Sequence, residues 1–150
     1  MIQTPDTTRE LRRAYLFAEM SEPHLQTLIK TMHEVHLNAG DALFRHSQPA
    51  ERFFFLREGL IKLFRLSPEG DEKIIEIMRP GETFAEAVMF MGPQGRYPVN
   101  AEAVNESRIY SFEQKAFLNM LRESSDATFG LLGSMSRRLH MLVNQIESLT

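Results

Sequence analysis

A chain of 150 residues suits one domain with enough length to bury a core. Its 43% apolar and 25% charged residues are those of an ordinary soluble globular protein, and a net charge of −3 lacks the basic excess of a nucleic-acid-binding surface. The absence of cysteine excludes disulfides, thiolate nucleophiles and cysteine-ligated zinc or iron–sulfur clusters.

No run reaches the roughly 18 apolar residues of a spanning helix, and the polar N-terminus carries no signal-peptide pattern. The expectation is a cytoplasmic protein without a membrane partner. Eleven phenylalanines and nine methionines against no tryptophan predict an aromatic core with adaptable fillers. The same composition would also line a large apolar ligand pocket.

Thr7 and Glu10 have capping-box spacing and predict a helix from near Thr8, with Leu11, Ala14, Tyr15 and Ala18 on one face. Ser21 with Pro23 opens a second helix carrying Leu25, Leu28, Ile29 and Met32. From Glu34 the pattern changes to short runs rich in aromatic and branched residues: 34–37, 43–45, 52–58, 60–66, 72–78, 97–103 and 108–112. Turn signals separate them, among them Asn38-Ala39-Gly40-Asp41, Gln48-Pro49, Ser67-Pro68-Glu69-Gly70, Arg79-Pro80-Gly81 and Gly92-Pro93. Short strands with this punctuation predict an α+β fold that is mainly β, a β-roll or jelly roll. Ser67–Gly70 reads as a hairpin, with Gly70 supplying positive φ.

Ser111 and Gln114 form another capping box, predicting a helix to about Leu121. Ser124, Ser125 or Asp126 then caps the longest helix. That helix carries Leu132, Met135, Leu139, Leu142, Ile146 and Leu149 at spacings of 3, 4, 3, 4 and 3, a heptad stripe. The stripe would pack on the chain's own β-roll or form a self-association seam; the narrow a/d geometry favours the seam and a homodimer.

The chemistry centres on Thr83 to Ala103. Phe84 is an apolar anchor, Ala85 to Met91 a short apolar segment with one carboxylate, and a Gly/Pro break leads to Tyr97. This predicts a strand, one or two turns of helix, a loop and a strand. Free N–H groups at the start of such a helix hold an anion, and Glu86 stands there to accept from ligand hydroxyls.

The stretch resembles the phosphate-binding cassette of cyclic-nucleotide-binding domains, in particular those of Crp/Fnr transcription regulators. The segments Gly40-Asp41-Ala42-Leu43-Phe44, Phe54-Phe55-Leu56 and Gly59-Leu60-Ile61-Lys62-Leu63 resemble the glycine framework of the same family, and Met135-Ser136-Arg137-Arg138-Leu139 its long dimer helix. The resemblance implies a sensor domain over 1–124, a dimerisation helix over 125–150, and a winged helix-turn-helix that would meet DNA and RNA polymerase but is absent from this chain; the expectation is a fragment. Glu86 falls where the family glutamate takes the ribose 2′-hydroxyl. The family glycine is Ala85, the arginine falls on Tyr97 and the Ser/Thr on Pro98. Arg96 is one place off, which on a strand turns it to the opposite face. Leu142 and Val143 stand where nucleotide binders present hydroxyls to the base. The expected pocket, Phe84, Ala85, Glu86, Ala87, Arg96, Tyr97, Pro98, Leu142 and Val143, is therefore more apolar than a cAMP pocket.

Phe84-Ala85-Glu86-Ala87, Met89-Phe90-Met91 and Tyr97 are similar to the Dnr-type branch, which are haem-binding sensors of nitric oxide. That implies haem, ahead of cAMP, as the cofactor, and a small effector that shifts how two long helices cross. Haem needs an axial ligand; His24, His33, His36, His46 and His140 are available, and His140 on the long helix is the candidate. The histidine pair of the Dnr-type branch would fall at Ala14-Tyr15, where both are absent. A cyclic-nucleotide receptor, for which Arg96 argues, and a ligand-free dimerising module are the alternatives. His33 and His36 would share a face on a helix but point apart on a strand. No metal site is expected. With no nucleophile elbow, Walker loop or GxGxxG, no enzyme is expected either.

Overall fold

The computed structural model describes residues 5–91 and 95–149; the Gly92-Pro93 break lies outside them. Three short helices, α1 (Pro5–Leu11), α2 (Tyr15–Ala18) and α3 (Glu22–Thr31), precede eight strands. These are β1 (His33–Leu37), β2 (Ala42–Phe44), β3 (Arg52–Glu58), β4 (Ile61–Leu66), β5 (Glu72–Met78), β6 (Thr83–Phe84), β7 (Asn100–Ala103) and β8 (Ser107–Glu113). Helices α4 (Gln114–Glu123) and α5 (Ser125–Ser148) close the chain. The strands form two four-stranded sheets, ordered β1-β8-β3-β6 and β2-β7-β4-β5. Every strand pairing among the described residues is antiparallel. The expected β-roll with N-terminal helices and a long C-terminal helix is what the chain forms.

Strand β3 shows how two cores arise from one run. Successive side chains on a strand point to opposite faces. Phe54 and Leu56 enter the roll interior with Phe44, Ile61, Phe84, Tyr97 and Ile109. Phe53 and Phe55 join an outer core with Leu11, Phe17, Leu25, Ile29, Phe112 and Phe117. All four are buried because this sheet is covered on both faces. In the outer core the Phe53 ring lies 5.1 Å from Phe112 and 5.3 Å from Phe117, the latter edge-on.

Helix α3 starts as expected, its Ser21 hydroxyl accepting from the His24 N–H at 3.3 Å. The hairpin at Ser67 closes with the Gly70 N–H on the Ser67 carbonyl at 2.9 Å, and Gly70 has φ +90°. Ser124 caps α5, accepting from Ala127 N at 3.0 Å.

Three expectations fail locally. The helix expected from Thr8 to Ala18 begins at Pro5 and breaks after Leu11, because Ala14 is extended. Thr7 is buried and bonds the Tyr110 phenol, while Glu10 pairs with Arg57 at 3.3 Å, so the box residues serve tertiary contacts. The break lets Leu11, Ala14, Leu16 and Phe17 all reach the core. The second box, Ser111 with Gln114, fails in the same way. Ser111 lies within β8 and accepts from Arg52 Nε at 2.6 Å, and Gln114 donates to the Arg52 carbonyl at 3.1 Å. The strand expected from Tyr97 begins only at Asn100, since Pro98 has no N–H for a ladder.

Helix α5 has two halves. Leu131 and Ser134 are buried where its first turns meet α2 and α4. From Met135 onward every described residue is exposed. The stripe Leu132, Met135, Leu139, Leu142, Ile146 and Leu149 is exposed, from 37% at Met135 to 87% at Leu149. Packing of this stripe on the chain's own β-roll is therefore excluded.

Candidate functional site

The cassette is anchored by β6, whose Phe84 pairs with Phe54 across the sheet and stacks on its ring at 5.4 Å. Ala85 follows with φ +67°, the left-handed region that favours glycine. This twist sets the next side chains on different sides. Phe84 and Ala85 pack in the roll interior, whereas Glu86 reaches the helical layer. There its carboxylate accepts from the Tyr15 hydroxyl of α2 at 2.5 Å. A single 3₁₀ turn, Ala87–Phe90, completes the segment. Ala87 is exposed. Glu86 was expected to face a ligand hydroxyl; in the chain one of its two oxygens accepts from a phenol.

Tyr15 is held neutral. Burial pushes its pKa far up, and the Glu86 carboxylate beside it pushes the same way. The Arg138 guanidinium of α5 lies over the Tyr15 ring, 4.9 Å from its centre. Neither Tyr15 as the partner of Glu86 nor Arg138 was foreseen, since the phenol and carboxylate are 71 residues apart.

The roll interior around Tyr97 is filled by packed rings. Tyr97 is 6% exposed and stacks on Phe44 with ring centres 3.9 Å apart. Its hydroxyl donates to the Arg52 carbonyl at 2.9 Å and accepts from the Arg52 N–H at 3.3 Å. Burial raises its pKa. The phenol therefore braces β3 and has no proton left for a ligand. Phe44 and Arg52, absent from the expected pocket, are its real neighbours. Arg96, placed in the expected pocket, is exposed and donates to the Ser47 carbonyl at 2.8 Å. Pro98 is exposed, its carbonyl accepting from Arg65 Nε at 3.0 Å.

Within this chain Leu142, Val143 and His140 lie on the exposed half of α5, whose main contacts are with α2 and α4. The α5 residue brought toward the cassette is Arg138. An open cleft of about 660 Å³ lies between the 3₁₀ turn and α4, lined by Arg52, Met89, Lys115, Leu118 and Arg122 among others; no histidine lines it.

Among the five histidines, His24 contacts Ser21, His36 contacts Glu106 at 3.0 Å, and His46 contacts Arg65 at 3.1 Å. His33 and His140 have no hydrogen-bond partner among the described residues. His33 and His36 share β1, three places apart, so their side chains point to opposite faces. No group of three or more metal-ligating side chains is found among the described residues. As a haem site the roll interior does not fit: rings occupy it and no histidine lies in it. On α5 His140 offers a free imidazole donor at the surface, with Val143 one turn on along the same face beside the polar Ser136, Arg137 and Asn144.

Residues 34–124 match the cyclic nucleotide-binding domain family. The chain belongs to that family. It is a sensor domain of Crp/Fnr type. It is similar to the sensor domain of the transcriptional regulator DNR from Pseudomonas aeruginosa, with 38% identity and a TM-score of 0.78 over 95% of each chain. The structure of DNR itself superposes with a TM-score of 0.89 at 37% identity, covering 99% of this chain and 65% of that one. A CRP-like cAMP-activated global transcriptional regulator from Mycobacterium tuberculosis is 26% identical over 139 residues, which span 93% of this chain and 61% of the relative. The chain thus spans about three fifths of that curated regulator's length. No helix among the described residues is long and apolar enough to cross a membrane.

Proposed function

We propose that this Crp/Fnr sensor domain is the sensing and dimerising part of a cytoplasmic DNA-binding transcription regulator that responds to nitric oxide through haem. The observation that carries this reading is the 38% identity with the DNR sensor domain across 95% of both chains, joined to the Dnr-type string at Phe84–Ala87, Met89–Met91 and Tyr97. Residues 1–124 would sense and 125–150 would dimerise. A winged helix-turn-helix beyond α5 would meet DNA and RNA polymerase. The chain would catalyse nothing itself. Its exposed heptad stripe supports a homodimer, because an apolar seam of this length in water needs a partner helix.

Two side chains support an effector other than a cyclic nucleotide. Tyr97 replaces a cation with a neutral phenol already bonded to the backbone, and a charge-assisted bond to phosphate is about twice as strong as a neutral one. Glu86, the ribose acceptor by resemblance, is drawn toward Tyr15 in the helical layer through one of its two oxygens. His140 would hold the haem, with Val143 beside it on the same helix face. Bound haem supplies an iron that takes nitric oxide as a ligand. Effector binding would bias the crossing of two α5 helices by its differential affinity for two arrangements.

The test is a titration of the purified chain with haem, followed by visible absorption and then by addition of nitric oxide. A saturable spectrum at one haem per chain, shifted by the gas and weakened in His140→Ala, is expected. A spectrum indistinguishable from free haem rejects the reading. The second reading, a cyclic-nucleotide receptor, is favoured by the family match and by the cAMP-activated relative; tight cAMP binding in calorimetry, weakened by Arg96→Ala or Tyr97→Phe, would establish it. Silence with both ligands leaves a ligand-free dimerising module.

A further inference from the structure

Three side chains from three elements meet outside the roll. The Glu86 carboxylate belongs to the cassette, the Tyr15 phenol to α2 and the Arg138 guanidinium to α5. The phenol is the middle member: its hydroxyl donates to the carboxylate at 2.5 Å and its ring face carries the cation at 4.9 Å. A hydrogen bond to an ionised acceptor is stronger than a neutral one, and a ring face attracts a guanidinium through its quadrupole. The two contacts use different parts of one side chain, so either can be cut while the ring stays in place. Glu19, which caps the C-terminus of α2, also pairs with Arg137 of α5 at 3.0 Å. On the cassette side the left-handed Ala85 turns Glu86 away from the interior, a strained backbone state that surrounding contacts must hold.

We infer that Tyr15 is a positioning residue that keeps the Glu86 carboxylate out of the roll and ties the cassette to α5 through Arg138. A ligand that draws Glu86 toward the roll, or that moves the 3₁₀ turn, breaks the phenol's bond and with it the link from the cassette to α5. The link exists in the ligand-free chain; its meaning as a signal route rests on the sensor reading above. It fits a chain in which Tyr97 already fills the nucleotide's place, because the cassette then acts on α5 from its outer side.

The test is amide hydrogen exchange on the ligand-free chain, so it stands or falls separately from the haem titration. Exchange in 84–91 and 127–138 is compared between wild type, Tyr15→Phe, Arg138→Met and the double variant, each normalised to amides of β3. Arg138→Met is expected to speed exchange in 84–91 by about two- to thirtyfold, the range of ordinary coupling energies, although the substitution lies on another element. In the Tyr15→Phe background, which keeps the ring and removes the hydroxyl, the same substitution is expected to add nothing in 84–91. Glu86→Gln, which keeps the shape and weakens the acceptor, should reproduce Tyr15→Phe and serves if that variant folds poorly. Arg138→Met leaving 84–91 at the wild-type rate, or speeding it equally with and without the Tyr15 hydroxyl, overturns the inference. So does a uniform rise across β3, which marks a merely structural role.

Discussion

Ala85 holds φ +67°, a conformation that costs an L-residue with a β-carbon about 1–2 kcal/mol. The resemblance places a glycine at this position, and the backbone still has the shape a glycine would allow. Ala85→Gly should therefore relieve strain, offset in part by the larger entropy glycine loses on folding. The expected outcome is a gain of about 1 kcal/mol in urea unfolding. An equal or larger loss would mean that the alanine methyl's packing in the roll interior outweighs the strain. Tyr97 carries a related lesson. Its arginine-to-tyrosine change was legible in the sequence, but its consequence was not. The sequence showed a lost cation; the structure shows a phenol that stacks on Phe44 and fixes Arg52. A cross-strand brace of this kind depends on a partner 45 residues away, which no local pattern reveals.

At the scale of elements, strand runs and hairpins were legible because alternation and turn residues are local signals. Strands β3 and β5 fall on the expected residues. The two capping boxes misled for the opposite reason. Thr7 and Ser111 satisfy distant partners, Tyr110 and Arg52, and tertiary bonding overrides a local cap. The heptad stripe on α5 was visible, and the structure adds which face is used internally. Leu131 is 7% exposed and Leu139 63%, so the two leucines should fail differently. Leu131→Ala should cost about 2–4 kcal/mol by opening a cavity under α5, with association unchanged. Leu139→Glu should leave the single chain's fold intact and shift the chain to a monomer in light scattering. A dimer that survives Leu139→Glu would remove the seam from α5; a monomer that also unfolds would assign Leu139 to the body, against its exposure.

At the scale of the whole molecule, all three tyrosines are drawn into one alkaline response. Tyr15, Tyr97 and Tyr110 have pKa values raised above the ordinary phenol, with burial the largest cause in each. They sit in different places: one against the cassette, one inside the roll, and one in the outer core beneath Arg57. An unfolded phenol ionises near pH 10. Above that pH the unfolded chain releases protons that the folded chain retains, so the number bound is lower in the unfolded state and stability falls as pH rises. The stabilising effect of the three neutral phenols is thus fully present below about pH 10 and lost above it. With no tryptophan, tyrosinate absorbance reports this directly. The rise should be delayed beyond the free phenol and should coincide with loss of helical circular dichroism, all three groups titrating together as the fold opens. A tyrosine that titrates near its free value while the circular dichroism is intact would show that one of these sites is open to solvent. Tyr15 would be the informative one, because its exposure would also free Glu86.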